Sequence, residues 1–194
     1  MPDSLHLELK VMLKRYALFL KDLDTRLNKY FKTHEKYIHC QKGCTECCEI
    51  GEYPFSRLEA EYIMSGFVKL SPEIQKIIKK NIQNLKIQKI NNRQERFNYR
   101  CPFLINKECS LYEYRGIVCR TFGLAYISDN KVILPQCVHS GKNYSSIYLP
   151  ESGEIIINNP IEEDLHIDKI LRNPTAEKYE LECGEIRPLI EWFL

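Results

Sequence analysis

The chain has 194 residues, which suits one compact domain or one domain with an appended helix. Hydrophobic residues make up 44% and charged residues 28%, and this ordinary balance excludes wholesale disorder, collagen-like chains and low-complexity proteins. The formal net charge of +2 favours no class of partner. Apolar runs such as Tyr16–Leu20 are too short to span a bilayer, and the N-terminus resembles neither a signal nor a transit peptide. We therefore expect a cytoplasmic protein with no membrane segment.

A long amphipathic helix is predicted over residues 4–36, with Ser4 as its N-cap. Apolar and aromatic side chains recur along it in alternating steps of four and three residues, which is the heptad spacing of one apolar face. They are Leu9, Leu13, Tyr16, Leu20, Leu23, Leu27 and Tyr30, with Met12, Phe19 and Phe31 widening the stripe. A stripe this wide favours packing on the helix's own domain, so a monomer or a weak dimer is expected. Docking of a protein partner through this heptad helix is the alternative.

Two further helices have clear start signals. Ser56 followed by Glu59 forms a capping box, which predicts a helix from that point. Ser71 followed by Pro72 is an N-cap followed by a proline at the first helical position, which predicts the start of the next helix. The apolar face of this helix continues to about Asn91.

Strand signals come later in the chain. Residues Lys131–Leu134 predict a short strand. The segments Ser145–Leu149 and Glu154–Asn158 flank a four-residue turn, which predicts a β-hairpin.

Charge is distributed unevenly along the chain. The stretch from Lys76 to Arg100 carries eight basic residues and one acid, while the stretch from Leu149 to the end carries eleven acids and four basic residues. A nucleic-acid or acidic-protein surface is one interpretation of the basic stretch. A solvated helix face near the acidic tail is the favoured one, because no aromatic residues interleave with the lysines and arginines. Nucleic-acid binding is therefore not expected.

Cysteine is the most informative residue type in this chain. There are nine cysteines, and they are Cys40, Cys44, Cys47, Cys48, Cys101, Cys109, Cys119, Cys137 and Cys183. An odd number in a chain of this length without an export signal does not fit a disulfide framework. Four of them fall between positions 40 and 48, and grouped cysteines in a reducing compartment more often bind metal.

The spacing of these cysteines narrows the class of site. We call residues 40–48 the first string and residues 101–137 the second string. The spacing of Cys44 and Cys47 matches one zinc knuckle, but a zinc ribbon requires two such knuckles. The cysteine spacing of two-cluster ferredoxins is also absent. Ligands from scattered loops suit an irregular thiolate cage, which iron–sulfur and multi-zinc sites both tolerate. The residues alone therefore predict a metal site with thiolate ligands, and they do not determine which metal it binds.

The order of the cysteine blocks resembles a known family. The blocks read Cys-x-x-Gly-Cys-x-x-Cys-Cys, Cys-Pro-Phe-Leu, Cys-x-Leu-Tyr-Glu-x-Arg and Cys-Arg-x-Phe, and they span roughly residues 40–140. They are similar to the YkgJ-type cysteine-cluster family, also called the CxxCxxCC or zinc- or iron-chelating domain. The resemblance implies a metal-binding protein with an iron–sulfur cluster, of the 4Fe-4S type, or a zinc centre. The family's relatives include flagellin lysine N-methylases, so a related enzyme is one alternative, and a structural zinc–thiolate module that docks a protein partner is another.

Carried over by position, the resemblance also implies a set of metal ligands. The pool is Cys40, Cys44, Cys47, Cys48, Cys101, Cys109, Cys119 and Cys137. Cys183 matches no block and is expected to be a lone buried or free thiol. His39 and His139 lie close to cysteines in the sequence, but we expect them beside the site or at the surface rather than as ligands.

Two arginines adjoin the expected ligands. Arg115 and Arg120 could donate hydrogen bonds to sulfur and offset its negative charge, or they could form ordinary salt bridges. The family's arginine–proline step is Arg115-Gly116 in this chain, which predicts a looser turn.

These observations together predict an α+β protein, mainly helical, forming a single domain with a small β-hairpin around a cysteine-rich metal site. Residues 1–39 are expected to form an N-terminal amphipathic helix. Residues 40–194 are expected to form the cysteine-cluster metal-binding domain.

Overall fold

The N-terminal helix begins slightly earlier than the sequence predicts. The computed structural model describes residues 2–41, 43–156, 161 and 163–193. Helix α1 spans Pro2–Thr33, and a 3-10 turn follows at Glu35–Tyr37. The predicted helix is thus confirmed, but Ser4 lies inside α1, and its prediction as the N-cap is wrong. Pro2 suits the first helical position, because the N–H that proline lacks would have no intrahelical partner there.

Shorter helices supply most of the remaining secondary structure. The α-helices among the described residues are α2 (Glu46–Glu49), α3 (Arg57–Phe67), α4 (Pro72–Asn91), α5 (Ile117–Thr121), α6 (Ile167–Leu171) and α7 (Pro174–Glu177). Further 3-10 turns occupy Tyr112–Tyr114, Gln136–Ser140, Ser145–Ile147 and Leu189–Phe193. In the part of the chain that the structure describes, no helix is both long enough and apolar enough to cross a membrane.

The strands are short and pair antiparallel. The pairs are β1 (Pro54–Ser56) with β8 (Ile186–Pro188), β2 (Leu104–Ile105) with β3 (Glu108–Cys109), β4 (Tyr126–Ser128) with β5 (Lys131–Ile133), and β6 (Tyr148–Leu149) with β7 (Glu154–Ile155). The strand at 131–134 and the β6–β7 hairpin are confirmed. The hairpin is shorter than predicted, because Ser145–Ile147 forms a 3-10 turn, and residues 157–158 lie outside the described residues. The fold is therefore a mainly helical α+β domain, as expected.

Both predicted helix starts are confirmed by their hydrogen bonds. At α3, the Glu59 N–H donates to Ser56 Oγ at 3.3 Å, and the Ser56 N–H donates to Glu59 Oε2 at 2.8 Å. At α4, the Ile74 N–H donates to Ser71 Oγ at 3.4 Å, and the helix ends at Asn91 as predicted. Each cap satisfies backbone donors that the first helical turn leaves unpaired.

The apolar stripe of α1 is covered by the chain itself. Its buried residues are Tyr16, Phe19, Leu20, Leu23, Leu27 and Tyr30. They form one cluster with Leu58 of α3, Ile117 of α5 and Ile170 of α6. Burial of each such leucine contributes about 1.5–3 kcal/mol to folding, so α1 is an integral part of the core. The boundary near residue 39 between two units stays a prediction.

The basic helix α4 forms an ion pair with the acidic C-terminal segment through Lys89. Lys89 Nζ lies 2.6 Å from a carboxylate oxygen of Glu191 and 3.7 Å from one of Glu52. Lys76, Lys79 and other basic residues of α4 are exposed to solvent. This arrangement matches the favoured interpretation of a solvated basic face near the acidic tail.

Replacement of Leu20 by alanine tests the burial of the stripe. Leu20 is 2% exposed and Leu18, on the same helix, is 56% exposed. We expect Leu20→Ala to lower the free energy of unfolding by about 2–5 kcal/mol, because it leaves a cavity in the core. Leu18→Ala should lower it by less than about 1 kcal/mol. Urea denaturation followed by circular dichroism measures both, and similar losses in the two variants would contradict the packing described.

Candidate metal centre

The first cysteine string forms a tight loop that leads into a short helix. Gly43 has a φ of +91°, in the left-handed region that favours glycine. The Cys44 N–H donates to the Gln41 carbonyl at 3.0 Å, which closes the loop. Cys47 and Cys48 then lie on α2.

A short antiparallel contact joins the two strings. The Cys101 N–H donates to the Cys48 carbonyl at 2.7 Å. Close to this bond, Gly51 and Tyr99 exchange N–H···O bonds of 3.1 and 3.3 Å. Cysteines more than 50 positions apart in the chain are therefore neighbours in space.

The adjacent cysteines of the first string also contact each other. Cys47 Sγ and Cys48 Sγ are 3.8 Å apart. Either sulfur can donate in this hydrogen bond, and sharing it lowers the pKa of Cys48 and raises that of Cys47. The two side chains thus point into the same region of the site.

Backbone N–H groups point at two thiols of the second string. The Phe103 N–H faces the Cys101 thiol and the Leu111 N–H faces the Cys109 thiol, and each N–H lowers the pKa of the thiol that it faces. In both cases the donor lies two residues after the cysteine, where the chain turns into or out of the β2–β3 hairpin. Such N–H groups stabilise negative charge on sulfur.

Cys119 is positioned by a buried carboxylate below its helix. Glu59 Oε1 accepts the Ile117 N–H at 2.8 Å, at the start of α5, which carries Cys119. Gly116 just before the helix has a φ of −73°, a value that proline also adopts. A Cβ there would lie 2.5 Å from the Phe55 ring and 2.7 Å from Glu59 Oε1. The expectation of a looser turn at Gly116 is therefore wrong, because the glycine is packed tightly over the carboxylate.

Two adjoining cavities are lined by the cysteines of both strings. The first cavity, of about 390 Å³, is lined by Cys44, Cys47, Cys48, Cys101, Cys109 and Cys119. The second cavity, of about 560 Å³, is lined by Cys40, Cys44, Cys47, Cys119 and Cys137. Every cysteine of the expected ligand pool thus faces at least one of them. Cys183 instead packs against the core cluster of α1, as expected for a lone thiol.

Burial and mutual proximity disfavour charge on these thiols. Burial raises the pKa of Cys101 and Cys119, and the neighbouring Cys48 raises both further. Burial also raises the pKa of Cys109, and that of Cys137 to about 11. A bound cation would offset the charge of several thiolates here, and sulfur is a ligand that zinc and iron both accept. The donor set therefore fits either metal, although among the described residues no three His, Cys, Asp or Glu side chains already converge at single-ion distances.

The two arginines have different surroundings. Arg115 stacks on the Tyr112 ring at 3.5 Å and lines both cavities, and its charge lowers the pKa of Cys48, Cys109 and Cys119. Arg120 forms an ion pair with Asp24, and it donates to the carbonyls of residues 113 and 115. Arg115 thus acts on the thiols electrostatically, whereas Arg120 fixes the loop that carries Arg115.

The histidines and one asparagine complete the surroundings. His39 lines the second cavity, and the His139 ring packs against Tyr148. Asn143, which sequence reasoning missed, is buried and donates from its side-chain amide to Cys40 sulfur at 3.0 Å. No local pattern marks it, because its partners are distant in the sequence.

The arrangement defines a cysteine-rich protein whose thiols, from separate segments, line a common pair of cavities. A family model described as CxxCxxCC, "putative zinc- or iron-chelating domain", matches residues 39–138. The match covers more than half of the chain, and the chain belongs to that family, as its cysteine blocks predicted. No curated protein and no solved structure matches the chain.

Loss of the Glu59 carboxylate should destabilise the fold around Cys119. Glu59→Ala removes the acceptor of the Ser56 N–H, the Ser56 hydroxyl and the Ile117 N–H. We expect the free energy of unfolding to fall by about 3 kcal/mol or more, because buried donors then lack partners. Glu61→Ala on the same helix should lower the free energy of unfolding by less than about 1 kcal/mol. Chemical denaturation measures both, and a Glu59→Ala loss as small as that of the control would contradict this role.

Proposed function

We propose that this member of the chelating family carries an iron–sulfur cluster, of the 4Fe-4S type, in the first cavity. The observation that carries the proposal is the convergence of six thiols from four separate chain segments on that one cavity. A structural zinc ion sits about 2.3 Å from each sulfur and fills little space between four of them. A cavity of about 390 Å³ is better matched to a polynuclear cluster, whose inorganic atoms bridge widely placed thiolates.

The chain's own residues have defined parts in this proposal. Cys101, Cys109 and Cys119 would each provide a ligand from a different segment, and the adjacent pair Cys47 and Cys48 would provide a fourth. The Phe103 and Leu111 N–H groups, which already point at sulfur, would compensate charge at two of these ligands. A bound cluster would supply one-electron redox chemistry.

The remaining wall of the first cavity is apolar. It includes Phe55, Ile63, Phe103, Leu111 and Leu189. Apolar side chains limit the access of water and oxygen to a cluster and help to set its potential. Phe103 belongs to the Cys-Pro-Phe-Leu block, and its position in the cavity wall supports a role in this shell.

Metal analysis of anoxically purified protein tests the proposal. We expect brown protein with broad visible absorption and about four iron and four sulfide per chain. Cys101→Ser and Cys109→Ser should lose most of the iron and should be less stable, because metal affinity contributes to folding. Cys183→Ser is the matched control and should keep both properties of the wild type.

Other outcomes would select other functions. Colourless protein with tightly held zinc would show that the site is a structural zinc–thiolate module and not an iron–sulfur cluster. Iron loss in Cys183→Ser equal to that in Cys101→Ser would contradict the ligand assignment.

The role proposed for Arg115 makes a second prediction. Reduction adds negative charge to a cluster, and the guanidinium beside the first cavity would stabilise that charge. We expect Arg115→Gln to lower the reduction potential by roughly 60 mV, a tenfold change for a one-electron couple. Arg115→Lys keeps the positive charge, so its reduction potential should stay closer to that of the wild type. A redox titration followed by electron paramagnetic resonance measures both, and equal shifts would show that charge is not the cause.

A further inference from the structure

The solvated face of α4 carries two apolar side chains as well as its lysines. Ile87 is 57% exposed and Ile90 is 83% exposed, whereas Ile78 and Leu85 on the opposite face are buried. Residues three apart on a helix are neighbours on its surface, so the two exposed isoleucines form one patch. A single exposed isoleucine is ordinary, but a patch of them surrounded by charge is typical of an interaction surface.

Unpaired lysines lie beside this patch. With about 3.6 residues per turn, Lys76, Lys80 and Ile87 project within about 40° of one another around the helix axis. Lys76 and Lys80 are exposed. The ion pairs that α4 forms with other described residues are both made by Lys89, so neither outward lysine has a carboxylate partner there. The outward face therefore combines apolar side chains with uncompensated positive charge.

The positive charge continues past the end of the helix. Arg93 and Arg96 lie just beyond α4 and are both exposed, and Glu95 is the one acid between Lys76 and Arg100. A surface of one sign attracts a partner that presents many charges of the opposite sign. Charge complementarity therefore points to an anionic partner.

The residue pattern of the face favours a lipid surface over a helix of another protein. The outward positions that precede Ile87 are occupied by Lys80, Gln83 and Asn84. They interrupt the continuous apolar stripe that packing of one helix on another requires. At a bilayer surface, isolated apolar side chains can enter the acyl boundary, while lysine stems extend to keep their amines at the headgroups. Anionic headgroups also attract clustered lysines and arginines.

We infer that the outward face of α4 binds the surface of an anionic bilayer, with Ile87 and Ile90 at the acyl boundary and Lys76 and Lys80 at the headgroups. The helix lies along the bilayer and does not span it, because its other face is packed in the domain core. Among the described residues, no residue of α4 lines either cavity of the metal centre. This surface is therefore independent of which metal the cysteines bind.

Vesicle co-sedimentation of the full-length chain tests the inference. The probes are vesicles of phosphatidylcholine alone and vesicles in which phosphatidylglycerol makes up about a third of the lipid. We expect the chain to bind the anionic vesicles at least about tenfold more tightly than the neutral ones. Added NaCl should weaken this binding, because it screens the attraction between charges.

Two double variants test the contribution of charge. Lys76→Gln with Lys80→Gln should weaken binding to the anionic vesicles about tenfold or more, because two cations leave the headgroup region. Lys10→Gln with Lys14→Gln is the matched control, since these lysines are also exposed and four positions apart but lie on α1. The control should bind as the wild type does.

The apolar contribution is tested in the same way. Ile87→Ser with Ile90→Ser keeps the net charge and should weaken binding about tenfold or more, because it removes the side chains that enter the bilayer. Leu7→Ser with Leu18→Ser changes two exposed leucines of α1 and should bind as the wild type does. All of these positions are exposed, so each variant should keep the circular dichroism spectrum of the wild type.

Equal binding to neutral and anionic vesicles, or no binding to either, would overturn the inference. So would binding that the Ile87→Ser and Ile90→Ser double variant retains in full, or that the lysine variant of α4 and its control on α1 lose equally. A chain that binds poly-L-glutamate or duplex DNA but not the anionic vesicles would also overturn it, and would assign the face to an acidic polymer instead.

Discussion

The site depends on the antiparallel backbone contact between residues 48–51 and 99–101. Its hydrogen bonds hold the helix that carries Cys47 and Cys48 against the segment that carries Cys101. Each bond alone contributes only about 1 kcal/mol. Their effect is geometric, because they fix the register in which a local string of thiols meets thiols from a distant part of the chain.

The fold supports this contact with groups that do not touch the cysteines. Glu59 is buried, and burial raises its pKa, but its carboxylate accepts hydrogen bonds from the starts of both α3 and α5. The helix of the capping box and the helix of Cys119 are therefore held by one side chain. A carboxylate so placed is costly to bury unless each of its partners is present, which explains why the surrounding backbone, including Gly116, is packed so closely.

Local patterns predicted much of this structure. The capping box at Ser56, the Ser71–Pro72 start of α4 and the β6–β7 hairpin are signalled by residues that lie near each other in the sequence, and they are confirmed. The β1–β8 pair was not predicted, because three-residue strands whose paired residues are 130 to 134 positions apart leave no local signal. For the same reason, some residues of the site are predicted by a local pattern and others are not. The cysteine blocks identify the family, whereas the positions of Asn143 and Glu59 follow from tertiary contacts that no spacing encodes.

The division of the thiols between two cavities resolves a difficulty in the sequence. Eight cysteines exceed what one four-coordinate centre requires, and the spacing alone does not divide them. The structure places Cys48, Cys101 and Cys109 on the first cavity, Cys40 and Cys137 on the second, and Cys44, Cys47 and Cys119 on the wall that both share. Arg115 lines both cavities, so its charge acts on either side of that wall. Occupation of one cavity by a cation would therefore change the electrostatic environment of the other.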